Sequence, residues 1–506
     1  MRPVQWIMDR APITGQNGNT LSINNNSNYT LSDGYGFFIQ NHPATLDQSG
    51  EWYYNPANKT IRLYDSQNDP NGQSMTATAF GEGVNLTNSS SVTVRNLQIT
   101  QTLTAGLAAN GGSNLTFSGN DITASDFNGI NVSGAASTVL AENNLIEDSN
   151  NTGFTIQPYQ NFTFRGNTIR RAGVVPGRGQ SGDGGYSGLQ SLCTANSLIE
   201  NNTLDNIGYN GVTFVTNSVV RNNQISNFCQ TKSDGGGIYT WNGNRTNPGG
   251  LRFQSNIIYN GIGASEGTPG GAYAGANGIF LDDCSQNVEL IGNTTFGSRG
   301  MGIFLRGATG ITIRDNTSFN NGEEQLKLAY NNTCALRNNT IQNNIFFGKH
   351  PDHVVVAYES NANDLGEYGL FDGNYYVRPL EDQFKIRAVY NPGSGLTGAD
   401  LTLAEWQARW GKDRNSFNSP ITYKTQTVGQ TGATLLNHEF SGDVNGWSVW
   451  SPHGNGRTAW DNANRLDGGS LRVSFASASN QNNSYLLATV SIGAVTKGKT
   501  YQLLLL

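Results

Sequence analysis

At 506 residues the chain is too long for one growing globular core, which leaves several domains or one elongated array. Only 13% of it is charged and it holds 63 glycines, while Asn, Ser and Thr alternate with Ile, Val, Leu and Phe in short runs, the mark of a folded, β-rich chain with a polar surface. The net charge of −6 supports neither nucleic acid nor an anionic membrane as partner, and no apolar run is long enough to span a bilayer.

In chain order, residues 1–80 carry strand-like segments without a repeat and are expected to form a small N-terminal β domain. Tyr35 to Gln40 reads as one strand, and Trp52-Tyr-Tyr-Asn and Thr60-Ile-Arg-Leu, joined by a turn of Asn, Pro and Lys, read as a hairpin. Met1 to Gly15 lacks the basic start and apolar core of a signal peptide, and the C-terminal Tyr501-Gln-Leu-Leu-Leu-Leu stops inside a strand-like run. The chain is therefore expected to be part of a larger exported protein, secreted or at the cell surface.

Within a domain expected to span 81–425, a repeat takes over from about Val84 to Phe347 and then decays; in it an apolar-alternating run is followed by Asn-x-Ile or Asn-x-Leu, a polar turn and Gly-Ile. Leu115-Thr-Phe-Ser-Gly-Asn-Asp-Ile and Phe162-Thr-Phe-Arg-Gly-Asn-Thr-Ile show it most clearly. The marker asparagines fall at Asn120, Asn144, Asn167, Asn202, Asn223, Asn256, Asn293, Asn316 and Asn339, a period near 23 residues with three long intervals. Period-two strands and Asn/Gly turns at that spacing predict a right-handed parallel β-helix, an all-β solenoid with apolar side chains stacked inside. Asn is expected at bends that need left-handed backbone. The extra residues lie between the Asn-x-Ile strand and the Gly-Ile strand, at 174–186, 230–236 and 261–277, and repeat insertions commonly mark the binding face. Leu401 to Trp410 has helical spacing and stops at Gly411. Residues 431–506, with Trp447, Trp450 and Trp460 and alternating Leu471-Arg-Val-Ser-Phe, read as a truncated β-sandwich resembling a jelly-roll carbohydrate-binding module.

Aligning the Gly-Ile strands puts Tyr239, Phe280, Phe304 and Lys327 in one outward column and Trp241, Asp282, Arg306 and Ala329 in the next. Asp234, Asp183, Glu266, Asp283, Glu323 and Glu324 lie in or beside the bordering loops. Neighbouring coils are about 4.8 Å apart, and glycoside hydrolysis needs two carboxyls roughly 5 to 9.5 Å apart, so one or two coil steps supply the spacing. An aromatic flanked by acids suits a sugar subsite. The plainer reading makes Asp282 a surface ion pair with Arg306, and Asp234 and Asp283 turn caps. Neither a zinc spacing nor a disulfide framework is visible in Cys193, Cys229, Cys284 and Cys334, which read as buried thiols, and no metal or other cofactor is called for. His350-Pro-Asp-His reads as a loop.

Asp234-Gly-Gly-Gly-Ile-Tyr-Thr, Gly278-Ile-Phe-Leu-Asp-Asp and Gly302-Ile-Phe-Leu-Arg-Gly resemble the core motifs of β-helical glycoside hydrolases in the pectate-lyase-like superfamily, as does Leu46-Asp-Gln-Ser-Gly-Glu-Trp-Tyr-Tyr upstream. The resemblance implies that Asp234, Asp282 and Asp283 supply the acid, base or nucleophile, with roles unassigned. Tyr239, Trp241, Glu266, Phe280, Phe304, Arg306 and Lys327 are the candidates for binding a plant or algal polysaccharide, by a protein expected to act as a monomer. A polysaccharide lyase using Lys327 and Arg306 is the rival, and a non-catalytic β-helix glycan binder or adhesin the third reading.

Overall fold

The computed structural model describes all residues except 215–216, 247–248, 271–272, 274, 350–352, 379–384, 419–435, 437, 464–468, 478–484 and 495–506. Three parallel sheets run side by side, of 13, 11 and 11 strands, and each pairs every strand with its counterpart in the coils before and after. One coil is Gln224–Ser226, Gly235–Trp241 and Leu251–Gln254, one strand from each sheet. The chain is a right-handed parallel β-helix. The sheet that holds Gly235–Trp241 is called here the front sheet; its last strand, Thr397–Leu401, turns back antiparallel on Ile386–Tyr390.

Alternation along each strand sends one side chain in and the next out. In the front sheet Ile238, Ile279, Ile303, Leu326, Val356 and Ile386 stack inside, all fully buried. Burying each contributes about 2 kcal/mol from apolar area. The glycine before the isoleucine has a packing reason: a Cβ on Gly237 would lie 2.4 Å from the Cγ2 of Ile258 in the next coil, and one on Gly129 2.3 Å from that of Ile146. The Gly-Ile pair therefore marks where the front sheet passes closest to its neighbour.

The asparagines act differently from the expectation. Asn120, Asn144, Asn167, Asn202, Asn223, Asn256, Asn293 and Asn316 point inward and are buried. From Asn144 onward each Oδ1 accepts from the backbone N–H and the Nδ2 of its counterpart one coil earlier, as Asn223 does for Asn202 at 3.0 and 2.8 Å, while its own Nδ2 reaches a carbonyl such as that of Ile199; at the start of the ladder Asn120 Oδ1 accepts from the Leu97 N–H. In a buried polar ladder in which each member is paired, the hydrogen bonds offset the cost of desolvating the amides. The left-handed backbone is at the residue before, as in Asn143, Asn201 and Asn222. The ladder continues through Asn344 and Asn374, not Asn339, so the coil after Asn316 is 28 residues long. Asn339 instead opens the strand Asn339–Gln342 and accepts from the Ile311 N–H.

Two of the four cysteines are bonded: Cys284 joins Cys334 across 50 residues, while Cys193 and Cys229 are free and buried. Coil stacking, which linear spacing does not display, brings the pair together.

The chain divides into two compact units. The first holds residues 1–377 and 384–418. Its N-terminal segment contains the expected hairpin, Trp52–Asn55 against Thr60–Leu63, and a second, Ile13–Asn17 against Thr20–Ile23. Tyr35 to Gln40 is not a strand; Gly36 lends its backbone to Arg2 and Gly267. Residues 1–80 do not stand apart, because Arg2 donates to the carbonyls of Ala264 and Glu266, Asp9 accepts from the Gly182 N–H, and Tyr29 donates to Asp183. The solenoid's C-terminal end is closed by the helix Leu403–Trp410, with a Thr402/Glu405 capping box, left-handed Gly411 and fully buried Trp406 against Tyr358. In the second unit, residues 378–383 and 419–506, the described strands form two antiparallel pairs, Trp447–Trp450 with Leu487–Val490 and Gly456–Asp461 with Ser470–Phe475. Trp450 is half exposed there. His350-Pro-Asp and the terminal Tyr501 to Leu506 lie outside the described residues.

Candidate functional site

The front sheet keeps one register through the acidic segment. Tyr239 pairs with Phe280, Phe280 with Phe304, Phe304 with Lys327, and Trp241 with Asp282. The same register continues to Ala357 and Glu359, opposite Lys327 and Ala329. Because parallel strands are locked by their buried isoleucines, a one-residue slip would turn every outward side chain into the core.

Asp282 sits at the end of its strand, largely buried, between Trp241 on one side and the Arg306 coil on the other. Its Oδ2 accepts from the Tyr239 hydroxyl at 2.9 Å and its Oδ1 from the Asp283 N–H at 2.9 Å. Burial pushes its carboxyl up to about 7; the charge of Asp283 adds to the shift and the donated hydrogen bonds oppose it. Arg306 Nη1 lies 3.8 Å from Asp282 and 3.3 Å from Asp283, so one guanidinium serves both acids. Asp283 also accepts from Asn331 Nδ2. Asp234, in left-handed backbone at the entrance to its strand, is pushed up to about 6 by burial, with Arg306 opposing and Asp283 adding. Asp234, Asp282, Asp283 and Arg306 thus form one electrostatic cluster.

The aromatic side chains divide into two roles. Trp241 is 43% exposed and is the open ring beside Asp282. Phe280 and Phe304, expected to meet sugar, are 2% and 8% exposed. They stack on each other at 4.6 Å and are covered by Tyr273 and Met301, so they form a floor beneath the face and not a platform on it. The insertion after Tyr259 causes this by folding Tyr273 back, its hydroxyl fixed to Asn277 Oδ1 at 2.8 Å. Tyr239 is committed to Asp282 and orients it.

Lys327 is ion-paired to Glu359 at 2.9 Å. Burial opposes its charge, but Glu324 and Glu359 outweigh that and raise its pKa, which keeps the amine protonated. Glu323, beside it, is pushed up to about 7 by burial and by Glu324. Glu266 is not brought to the acids: it is exposed on the insertion, its carbonyl accepts from Arg2, and its carboxylate acts on the same guanidinium. Asn331, Tyr273 and Glu359 are the members that sequence reasoning missed. Glu359 was reachable by aligning Val356 on Leu326, whereas Asn331 arrives on a loop that crosses back and is tied down by Cys334 next to Asp283's neighbour Cys284.

Two family models match. That of the right-handed β-helix region covers residues 82–256, and that of NosD, a periplasmic copper-binding protein, covers residues 270–363. No curated protein and no solved structure matches the chain.

Proposed function

We propose that the front face around Asp282 is the active site of a glycoside hydrolase that cleaves a polysaccharide, in a secreted or periplasmic protein. The observation that carries this reading is Asp282 itself, a buried carboxyl raised to about 7 and aimed by Tyr239 beside an exposed tryptophan. A carboxyl that holds its proton near neutrality can donate it to a glycosidic oxygen as the bond to the anomeric carbon breaks. Asp283, ion-paired to Arg306, and Asp234 are the carboxylates that face the developing positive charge or activate water. The Cys284–Cys334 bond suits an oxidising compartment, and NosD, whose family model matches residues 270–363, is a periplasmic protein.

The lyase reading is weakened by Lys327, which Glu324 and Glu359 keep protonated and which therefore makes a poor base. Copper, named in the NosD description, does not fit these residues. Cu prefers thiolate, thioether and imidazole donors; Cys284 and Cys334 are bonded to each other, and among the described residues no three of His, Cys, Asp and Glu group as a metal site. The test is a glycan panel read for reducing ends and for ultraviolet-absorbing unsaturated ends, with Asp282→Asn alongside. Reducing ends alone, lost in the variant, support hydrolysis; unsaturated ends, or binding without turnover, refute it.

A further inference from the structure

The outward file that carries Tyr239 and Phe280 does not begin at the acids. Read backwards through the register, Tyr239 pairs with Thr213, Thr213 with Gln190, Gln190 with Thr155, and Thr155 with Asn131. Over that earlier stretch lies a groove of about 480 Å³, lined by Asn131, Thr155 and Gln190 from the sheet. This is within the range of about 300 to 1,000 Å³ typical of ligand sites.

One wall is the insertion between Thr168–Ala172 and Leu189–Ser191, which contributes Gln180 and Asp183. That wall is built in place. Lys232, fully buried beneath it, donates to the carbonyls of Gly182 and Gly184 and lies over the rings of Tyr186 and Tyr209. From outside, Asp9 and Tyr29 hold Gly182 and Asp183.

The lining chemistry narrows the occupant. Amides and hydroxyls from the sheet offer donors and acceptors in alternation every coil, about 4.8 Å apart. The charged members are Glu82 and Asp183, both acidic, and no Lys or Arg lines the groove among the described residues, so a polyanion is repelled. Phe127 supplies one apolar surface. Between groove and acids stands Thr213, whose Oγ1 is buried with no hydrogen-bond partner among the described residues. The groove's nearest file member, Gln190, is two coils from Tyr239, about 10 Å along the axis.

We infer that this groove binds further units of the same chain that is cut at Asp282, and that the ligand is an uncharged glycan lying along the solenoid axis over Gln190, Thr155 and Asn131. This deepens the hydrolase reading and rests on it for the cleavage step, but the binding step stands apart. A chain must be several units long to reach both places, so affinity depends on length.

The test uses the full chain carrying Asp282→Asn and isothermal titration with trimers and hexamers of xylose, glucose and mannose in β-1,4 linkage, plus a galacturonate hexamer. At least one neutral hexamer is expected to bind at least tenfold tighter than its trimer, and Gln190→Ala with Asn131→Ala to abolish that gain in a chain whose far-ultraviolet circular dichroism is unchanged. The galacturonate hexamer is expected not to bind. The inference is overturned if no neutral hexamer binds, if hexamer and trimer bind alike, if the groove substitutions leave the gain intact, or if the galacturonate hexamer binds best. Length-dependent binding with no turnover by the wild type would sink the hydrolase reading alone. Turnover without a length effect would sink the groove alone.

Discussion

Replacing Asp282 by Asn tests whether the acid is held in the folded chain at a cost. Its carboxyl is raised from about 4 in the unfolded chain to about 7, so between those values the folded state binds more protons than the unfolded one. Stability then falls as pH rises through that window, and the ionised Asp282 is destabilising above it. Three pKa units correspond to about 4 kcal/mol. Asn keeps the shape but fits the Tyr239 and Asp283 donors less well, a loss of about 1 kcal/mol, which leaves about 3 kcal/mol of net gain at pH 8.5. With an unfolding entropy of about 2 cal/mol/K per residue over the solenoid unit, that is a rise in midpoint of roughly 3 °C. At pH 4 the advantage disappears and the lost hydrogen bonds leave the variant about 1 kcal/mol less stable. Differential scanning fluorimetry of both proteins from pH 4 to 9 reads the difference directly. A midpoint difference that does not change with pH, or an Asn variant less stable at pH 8.5 than the wild type, refutes the buried-acid argument. Hydrolysis by the same variant falls by about 10² to 10⁴ in kcat if Asp282 donates the proton.

Arg306→Ala removes the cation that holds Asp234 down, so the limb of the kcat/KM profile set by that acid moves to higher pH; an unmoved profile means Arg306 does not face the reacting acids. Cys284→Ser releases a closed loop of 50 residues and is expected to lower stability by about 4 kcal/mol in urea unfolding, with added reductant destabilising the wild type to the same level but not the variant. Asn223→Ala leaves the N–H and Nδ2 of Asn202 without their acceptor and the Ile199 carbonyl without its donor, at a cost of about 3 kcal/mol; a loss under 1 kcal/mol in urea unfolding would mean that water replaces the side chain.

How much of this was legible in the residues differs from layer to layer. The solenoid was, because strand alternation and a short repeat are written along the chain, and so was the front-sheet register, since Gly-Ile-Phe-Leu aligns on itself. The asparagines were visible as a period, but their role was inverted: a buried, paired amide and a solvent-facing turn residue look alike in one dimension. The insertions were located correctly, yet what they carry was not legible. Tyr273 covers Phe280 and Phe304, and Glu266 turns to Arg2, because loop conformation depends on what the loop packs against.

Composition, alternation and the Gly-Ile repeat by themselves determined that this chain coils into a parallel β-helix and that Tyr239, Asp282 and Arg306 share one face, since both follow from short-range periodicities of backbone and side chain. Only the tertiary structure decided that Asp282 is buried and aimed by Tyr239, that Asp283 meets Asn331 and a disulfide from two coils away, and that an amide-lined groove precedes the acids. Burial, electrostatics and cavities depend on groups distant in sequence, and stacking alone brings those together.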